Sequence, residues 1–219
     1  MQAQEAVTAS LPRIGQPAPD FEAKSTFGPI GLSQYRGKWV MLFSHPADFT
    51  PVCTTEITEF ARRYNEFEQR GVQLLGLSVD SVPAHLAWTR DIAQRLGRPV
   101  PFPIIADLDM KVSQLYGMIH PGESETATVR AVFFIDPEGI IRALLYYPLS
   151  LGRSVDELLR VIDGLQTAAK HQVATPVDWT PGQPVVVPAP ATAGEILEAE
   201  EAKARGLQYE TWYLRRRTL

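Results

Sequence analysis

One cysteine stands in 219 residues. Cys53 has no partner for an intrachain disulfide, no CxxC redox pair, and no companion thiolates with which to build a zinc site. Usage this sparse suits a reducing compartment, and a cytoplasmic location is expected. Long apolar runs are also missing. None exceeds five residues, as in 39–43 and 131–135, whereas a membrane span needs about 20, so no transmembrane helix is expected. The opening MQAQEAVTASLPRIG has no basic segment followed by an apolar stretch, and no secretory leader is expected. Charge of one sign is absent too. There are 21 basic and 25 acidic residues, a net charge of −4, which gives no field to gather nucleic acid or an anionic membrane. The 45% of hydrophobic residues are enough to bury a core.

Organisation shifts late in the chain. Five of the 18 prolines lie in TPVDWTPGQPVVVPAP (175–190). Proline fixes φ and removes a backbone donor, so this stretch is neither helix nor central strand, and an extended linker is expected. After it, 193–205 reads as a short helix, and Arg215, Arg216 and Arg217 as part of a solvated tail.

Before the linker the patterns alternate. KWVMLFSH (38–45) is a buried strand bounded by Gly37 and Pro46. Between 51 and 68, Ile57, Phe60, Ala61, Tyr64 and Phe67 recur at helical spacing, with Thr50 as a side-chain N-cap and Pro51 in the first helical position. VQLLGLSV (72–79) is a strand, 83–96 a helix, and FPIIAD (102–107) a short strand. RAVFFI (130–135) and IIRALLYY (140–147), joined by Asp136-Pro137-Glu138-Gly139, make a hairpin. A helix over 154–169 closes the series. This order predicts an α/β chain of thioredoxin-like fold, with a mixed central sheet flanked by helices and a C-terminal extension.

A lone cysteine is usually an inert buried hydrophobe. The setting of Cys53 argues otherwise. In SHPADFTPVCTTE (44–56) a buried strand ends, a loop crosses, and a helix begins almost at the cysteine. Unpaired N–H groups and the positive end of the helix dipole both favour a thiolate there.

Pro46, Thr50 and Cys53 spell Pro-x-x-x-Thr-x-x-Cys, which resembles the peroxidatic loop of the peroxiredoxins. With Ser-His-Pro before it and Thr-Thr-Glu after it, the match resembles the one-cysteine subfamily. IGQPAPDFEA (14–23), VRAVFFIDPEGIIRALLYYP (129–148) and the long C-terminal extension extend the likeness over nearly the whole chain. The resemblance implies a thiol-dependent peroxidase acting on hydrogen peroxide and organic hydroperoxides through a sulfenic acid. Cys53 would be the nucleophile, Thr50 would hydrogen-bond the peroxide, Arg130 would contact thiolate and peroxide, and Pro46 would shield the pocket. Glu56 would orient the arginine, with His45 and Arg153 as polar neighbours. His85, His120 and His171 lie in unrelated contexts and read as surface or structural. The resemblance also implies a peroxidase domain over 1–172, a dimerising arm over 173–219, and a homodimer, with the choice between a free dimer and a decameric ring of dimers left open by the sequence. It implies no metal and no cofactor, since sulfur carries the redox chemistry, and it requires an external thiol reductant because the chain has no resolving cysteine.

Ionisation alone does not make such an enzyme. A free thiol with a pKa near 8.5 is already a few per cent thiolate at neutral pH. Complete ionisation therefore gains only about 30-fold, roughly 2 kcal/mol, and intrinsic nucleophilicity falls with pKa at a Brønsted slope of about 0.4–0.5. The rest must come from positioning the O–O bond and stabilising the departing charge. Three rival readings fare worse. A chaperone or scaffold on the same fold has no need of the Pro46, Thr50, Cys53 and Arg130 set. A lipase-like site would need Gly-x-Ser-x-Gly before the motif strand, where Tyr35-Arg36-Gly37-Lys38-Trp39 has no serine. A thioredoxin-type oxidoreductase needs CxxC.

Overall fold

The computed structural model describes residues 11–219; most of the opening segment read above for a leader lies outside them. The chain divides into two compact units between Val155 and Asp156, earlier than the expected boundary after residue 172.

The first unit is built on a seven-stranded sheet. In chain order it holds β1 (Glu22–Ser25), β2 (Gly28–Gly31), β3 (Trp39–Ser44), α1 (Pro51–Arg62), α2 (Tyr64–Glu68), β4 (Val72–Ser78), α3 (Val82–Leu96), β5 (Ile104–Ala106), α4 (Lys111–Leu115), β6 (Arg130–Ile135) and β7 (Ile141–Tyr147). The strand order is β2-β1-β5-β4-β3-β6-β7. β3, β4 and β5 run parallel, while β6 and β7 add an antiparallel edge. This is the expected mixed sheet. The apolar runs of β3 and β6 are interior strands buried on both faces, which is why they read as continuous rather than alternating. One face packs Phe21, Leu42, Leu75, Leu77, Tyr116 and Phe133 into a single core cluster.

Local chemistry explains most boundaries. Ser81 caps α3 by accepting from the Ala84 N–H at 3.2 Å, and Gly97, at φ +74°, ends it in the left-handed region. The single helix expected over 51–68 is two helices, because Arg63 leaves helical geometry at φ −102°, ψ 13°. There Arg98 donates to the carbonyls of Ala61 and Arg62, an anchor from a distant part of the chain that helical periodicity does not register. The short α4 was not expected. Its start is held by Asp107, whose carboxylate accepts from the Val112 and Ser113 N–H groups at 3.0 and 2.6 Å. The predicted hairpin is present as β6–β7, with the Asp136 carboxylate accepting from Ile140 N–H at 2.8 Å across its turn.

The second unit corrects three expectations. It holds α5, which runs from Val155 at the junction to His171, then β8 (Val185–Val186), α6 (Ala199–Ala204), β9 (Gln208–Tyr209) and β10 (Arg215–Arg217). The proline-rich stretch is more than a linker. Val185 and Val186 form an edge strand in a small sheet of order β8-β10-β9, and prolines on both sides keep that strand short and at the edge. Val185 also packs with Val173 and Trp179 in a small apolar cluster. Arg215–Arg217 is the central strand of this sheet rather than a solvated tail. Its guanidinium groups reach backbone carbonyls, Arg215 that of Pro188 at 3.0 Å and Arg217 that of His171 at 3.1 Å. Of the helix expected over 193–205 only a turn at Ala193–Glu195 and the short α6 are helical.

Among the described residues, no helix is long and apolar enough to cross a membrane.

Candidate active site

The motif loop leaves β3 at Ser44 and enters α1 at Pro51. Phe49 sits at φ +56°, a conformation that costs a non-glycine residue of the order of 1 kcal/mol. This bend turns the chain into the helix and leaves the Phe49 ring 60% exposed. Pro51 takes the first helical position, where its missing N–H is no loss. The first rung of α1 is Thr54 N–H to Thr50 C=O, at 2.9 Å. The N–H groups of Val52 and Cys53 thus precede the helical ladder. Thr50 occupies the N-cap position, but its side chain makes no cap bond, contrary to expectation. Its hydroxyl instead turns back and donates to Ala47 C=O at 2.8 Å, which leaves the oxygen's lone pairs as acceptors. Pro46 is buried at the head of the loop.

Cys53 is fully buried. Arg130, at the start of β6, places Nη1 3.3 Å from its sulfur. The same Nη1 donates to Glu56 Oε2 at 2.7 Å, while Nε and Nη2 donate to Leu149 C=O at 3.1 and 2.8 Å. A guanidinium has five N–H bonds, so four are assigned and one on Nη2 is left over. Glu56 lies one turn beyond Cys53 on the buried face of α1. Its Oε1 accepts from Arg153 N–H and Nε at 2.8 and 2.9 Å, and its Oε2 also accepts from Arg153 Nη2 at 2.7 Å. Arg153 completes its fork on Ser44 C=O and Ala131 C=O at 2.9 and 3.1 Å. Its guanidinium also lies over the Phe43 and Phe60 rings. Burial pushes the Glu56 carboxyl up, but the Arg153 charge and hydrogen bonds and the Arg130 charge outweigh it and hold the group below the usual carboxylate range. Two arginines and one carboxylate leave this cluster with one positive charge in excess. The sulfur of Cys53 lies against it.

Cys53, Arg130, Glu56 and Arg153 are therefore brought into one bonded network. His45 belongs to a second one. Its Nε2 is 3.0 Å from Asp48 Oδ1, and Asp48 Oδ2 is 2.7 Å from His85 Nδ1. His85 Nε2 meets Ile105 C=O at 3.1 Å, so His85 is not in an unrelated context, as its place in the sequence suggested. Asp48 N–H donates to Asp80 Oδ2 at 3.0 Å, and Ser78 Oγ donates to the same oxygen at 2.6 Å. Burial lowers the His45 pKa below its ordinary 6.5, outweighing the Asp48 hydrogen bond and charge, and an ionised Asp48, an acceptor only, calls for the ring proton on the nitrogen that faces it. Its Nδ1 is buried without a partner. Burial raises Asp48, but hydrogen bonds from His45 and His85 bring it below the usual range. His45, Asp48, Asp80 and His85 offer donor atoms within 4.8 Å of one another, a set that also suits a metal ion. Here His45 Nε2, both Asp48 oxygens, Asp80 Oδ2 and both His85 nitrogens already face hydrogen-bond partners, and together they tie the motif loop to β4, α3 and β5. The signal for this network was weak: Asp48 lies inside the motif but has no catalytic look, and His85 is 37 residues away from it.

Comparison with known proteins identifies the class. Residues 14–144 match the AhpC/TSA family, and residues 164–201 match the C-terminal domain of 1-Cys peroxiredoxin. The chain is 56% identical over 204 residues to peroxiredoxin 2 of Caldanaerobacter subterraneus subsp. tengcongensis, covering 93% of this chain and 92% of that one. It is 50% identical over 216 residues to a peroxiredoxin of Aquifex aeolicus, covering 94% and 96%. Among solved structures, a yeast mitochondrial 1-Cys peroxiredoxin superposes with a TM-score of 0.84 at 40% identity, covering 94% of this chain and 99% of that one. A cysteine-to-serine mutant of peroxiredoxin 6 from Arenicola marina gives 0.83 at 38%, covering 94% and 97%. The fold is thioredoxin-like, and the chemistry is that of thiol-dependent peroxidases. This chain belongs to the AhpC/TSA family, the peroxiredoxins, and its single cysteine fits the 1-Cys mechanism.

Proposed function

We propose that Cys53 is the peroxidatic nucleophile and that the buried Arg130–Glu56–Arg153 cluster is the electrostatic half of the machine. The carrying observation is the Arg130 Nη1 to Cys53 Sγ contact of 3.3 Å beside a cluster with one unbalanced positive charge. A thiolate at Cys53 completes that balance. It attacks the terminal oxygen of ROOH: the S–O bond forms, the O–O bond breaks, and RO⁻ leaves and takes up a proton to become ROH. Arg130, with its remaining N–H, and the N–H groups that open α1 stabilise the charge on the oxygens. Thr50, already donating to Ala47, accepts the hydrogen of the peroxide rather than donating to it. Pro46 keeps water from the sulfur, Glu56 and Arg153 hold Arg130 in place, and His45 lines the loop from the other side.

The resulting sulfenic acid has no second thiol in its own chain. One external thiol condenses with it, releasing water, and a second reduces the mixed disulfide. For the yeast neighbour, thiol resolution is described as proceeding through glutathione and thioredoxin systems, and a small or protein thiol of that kind is the reductant inferred here. We also infer a cytoplasmic homodimer, with rings of five dimers as the larger assembly and the arm over 173–219 as the dimerising segment, in keeping with the exposed Trp212 and Tyr213 rings.

Intact mass after one equivalent of hydrogen peroxide, with a sulfenic-acid trap and with Cys53→Ser in parallel, tests the chemistry. Trapping at Cys53, with peroxide consumed at a matching rate and nothing in the variant, is expected. A wild type that reacts no faster than a free thiol overturns it. Sedimentation at micromolar concentration tests the dimer, and a stable monomer rejects it.

A further inference from the structure

The antiparallel ladder between β3 and β6 stops one step short of the catalytic loop. Its last pair is Phe43 with Val132. A continued ladder would next pair Ser44 with Ala131 and His45 with Arg130. Side chains take its place. Ser44 Oγ donates to Val129 C=O at 2.6 Å and accepts from Ala131 N–H at 3.1 Å. Ala131 N–H also reaches Val129 C=O at 3.1 Å, which makes a one-residue turn with Arg130 at its apex. One hydroxyl thus brackets Arg130 from both sides. A second, Thr128 Oγ1, donates to His45 C=O at 2.8 Å, at the residue where the motif loop departs. Both side chains are fully buried.

We propose that Ser44 and Thr128 are positioning residues of the peroxidase reaction: their hydroxyls replace the missing rungs and set where Arg130 stands relative to Cys53. This rests on Cys53 and Arg130 acting as described above. The chemical reason is that a regular ladder would draw the tips of β3 and β6 to fixed sheet spacing and aim successive side chains to opposite faces. Arg130 stays paired with Tyr147 of β7 on its other edge, so the hydroxyl rungs relieve it only of pairing with β3. They let its guanidinium reach Leu149 C=O, Glu56 and the sulfur together. Held by the β7 ladder on one edge and by two hydroxyls on the other, this strand end sets the place of Arg130, and displacement by 1 Å is enough to lower a rate by about 10²-fold.

The test compares two rates at Cys53: the second-order rate with hydrogen peroxide, which needs the arginine on the peroxide oxygens, and alkylation by iodoacetamide, which reads access and nucleophilicity. Ser44→Ala and Thr128→Val each remove a hydroxyl, whereas Thr128→Ser keeps it. Expected is a fall of about tenfold in the peroxide rate for Ser44→Ala and Thr128→Val, with alkylation changed by less than about threefold and Thr128→Ser close to wild type. Equal falls in both rates, or no fall in either, overturn the proposal. So does a Thr128→Ser protein as slow as Thr128→Val. If Ser44→Ala does not fold, the Thr128 pair decides. Arg130→Gln is the control for the underlying reading. If it leaves the peroxide rate intact, the catalytic assignment of Arg130 fails; if it slows the reaction while the hydroxyl variants do not, only the positioning inference fails.

Discussion

Two buried polar networks flank the motif loop, and they solve the same problem in opposite ways. Arg130, Glu56 and Arg153 keep full charges out of water: their side chains are 3%, 3% and 0% exposed. Charges so buried are tolerated only when paired and hydrogen-bonded, and Glu56 meets this with four donated bonds. The cluster still keeps one positive charge in excess, directed at the sulfur. His45, Asp48 and His85 are as deeply buried, yet each member ties the loop to backbone or to another member, and no bond from this set reaches Cys53 among the described residues. On the proposed reading the first network supplies charge to the reaction and the second holds shape. Burial alone does not separate the roles, whereas the sign and destination of the hydrogen bonds do.

If that distinction holds, the largest effect belongs to Glu56→Ala. It leaves two guanidinium groups buried side by side without their carboxylate, and removing one partner of such a cluster costs about 3–5 kcal/mol. Urea denaturation should show this loss. A variant within 1 kcal/mol of wild type would mean that the arginines reach water and the charge argument fails. Next comes His85→Gln in the second network. It loses the contact to Asp48, and a stability loss of about 1–3 kcal/mol is expected, with the peroxide rate changed by less than about threefold. A rate loss on the scale of removing a charge-stabilising donor, about 10²-fold, would erase the contrast between the two networks.

Much of this was legible beforehand, for reasons that can be named. β3, the β6–β7 hairpin and the start of α1 announce themselves because apolar period, proline and turn chemistry are local signals. The meeting of Arg130 with Cys53 was foreseen because the motif is dense and specific. Illegible parts share one trait: their partners are remote. Asp48 meets His85 across 37 residues, and Ser44 meets Val129 across 85. Arg98 meets Ala61 across 37 residues, and Arg215 and Arg217 meet the carbonyls of Pro188 and His171 across 27 and 46. The Thr50 hydroxyl misled in the reverse sense, since a good N-cap residue had a closer acceptor in Ala47.

The smallest effect separates the networks by pH. His45 has its pKa held below the ordinary 6.5, first by burial, with the His85 and Arg153 charges acting in the same direction against Asp48. The native ring takes its proton at a lower pH than the unfolded one, so acidification through 6.5 favours the unfolded chain. Glu56 and Asp48, both held below their ordinary values, act differently. Their contribution is intact above the usual carboxylate range and is lost only as pH falls below it. Between pH 7.5 and 5.5, then, the second network should weaken while the first does not. For one proton bound by the unfolded state alone over that interval, the loss is about 1.4 kcal/mol. Chemical denaturation of wild type and His45→Gln at both pH values measures it as a difference, which cancels histidines common to both proteins. Wild type should lose more than the variant on going to pH 5.5, by up to about 1.4 kcal/mol. An equal slope in the two proteins would show that His45 titrates alike in the folded and unfolded chains, so that burial does not depress it; a wild type that gains on the variant at pH 5.5 would show that the native ring is charged and that its network holds the loop by charge as well as by shape.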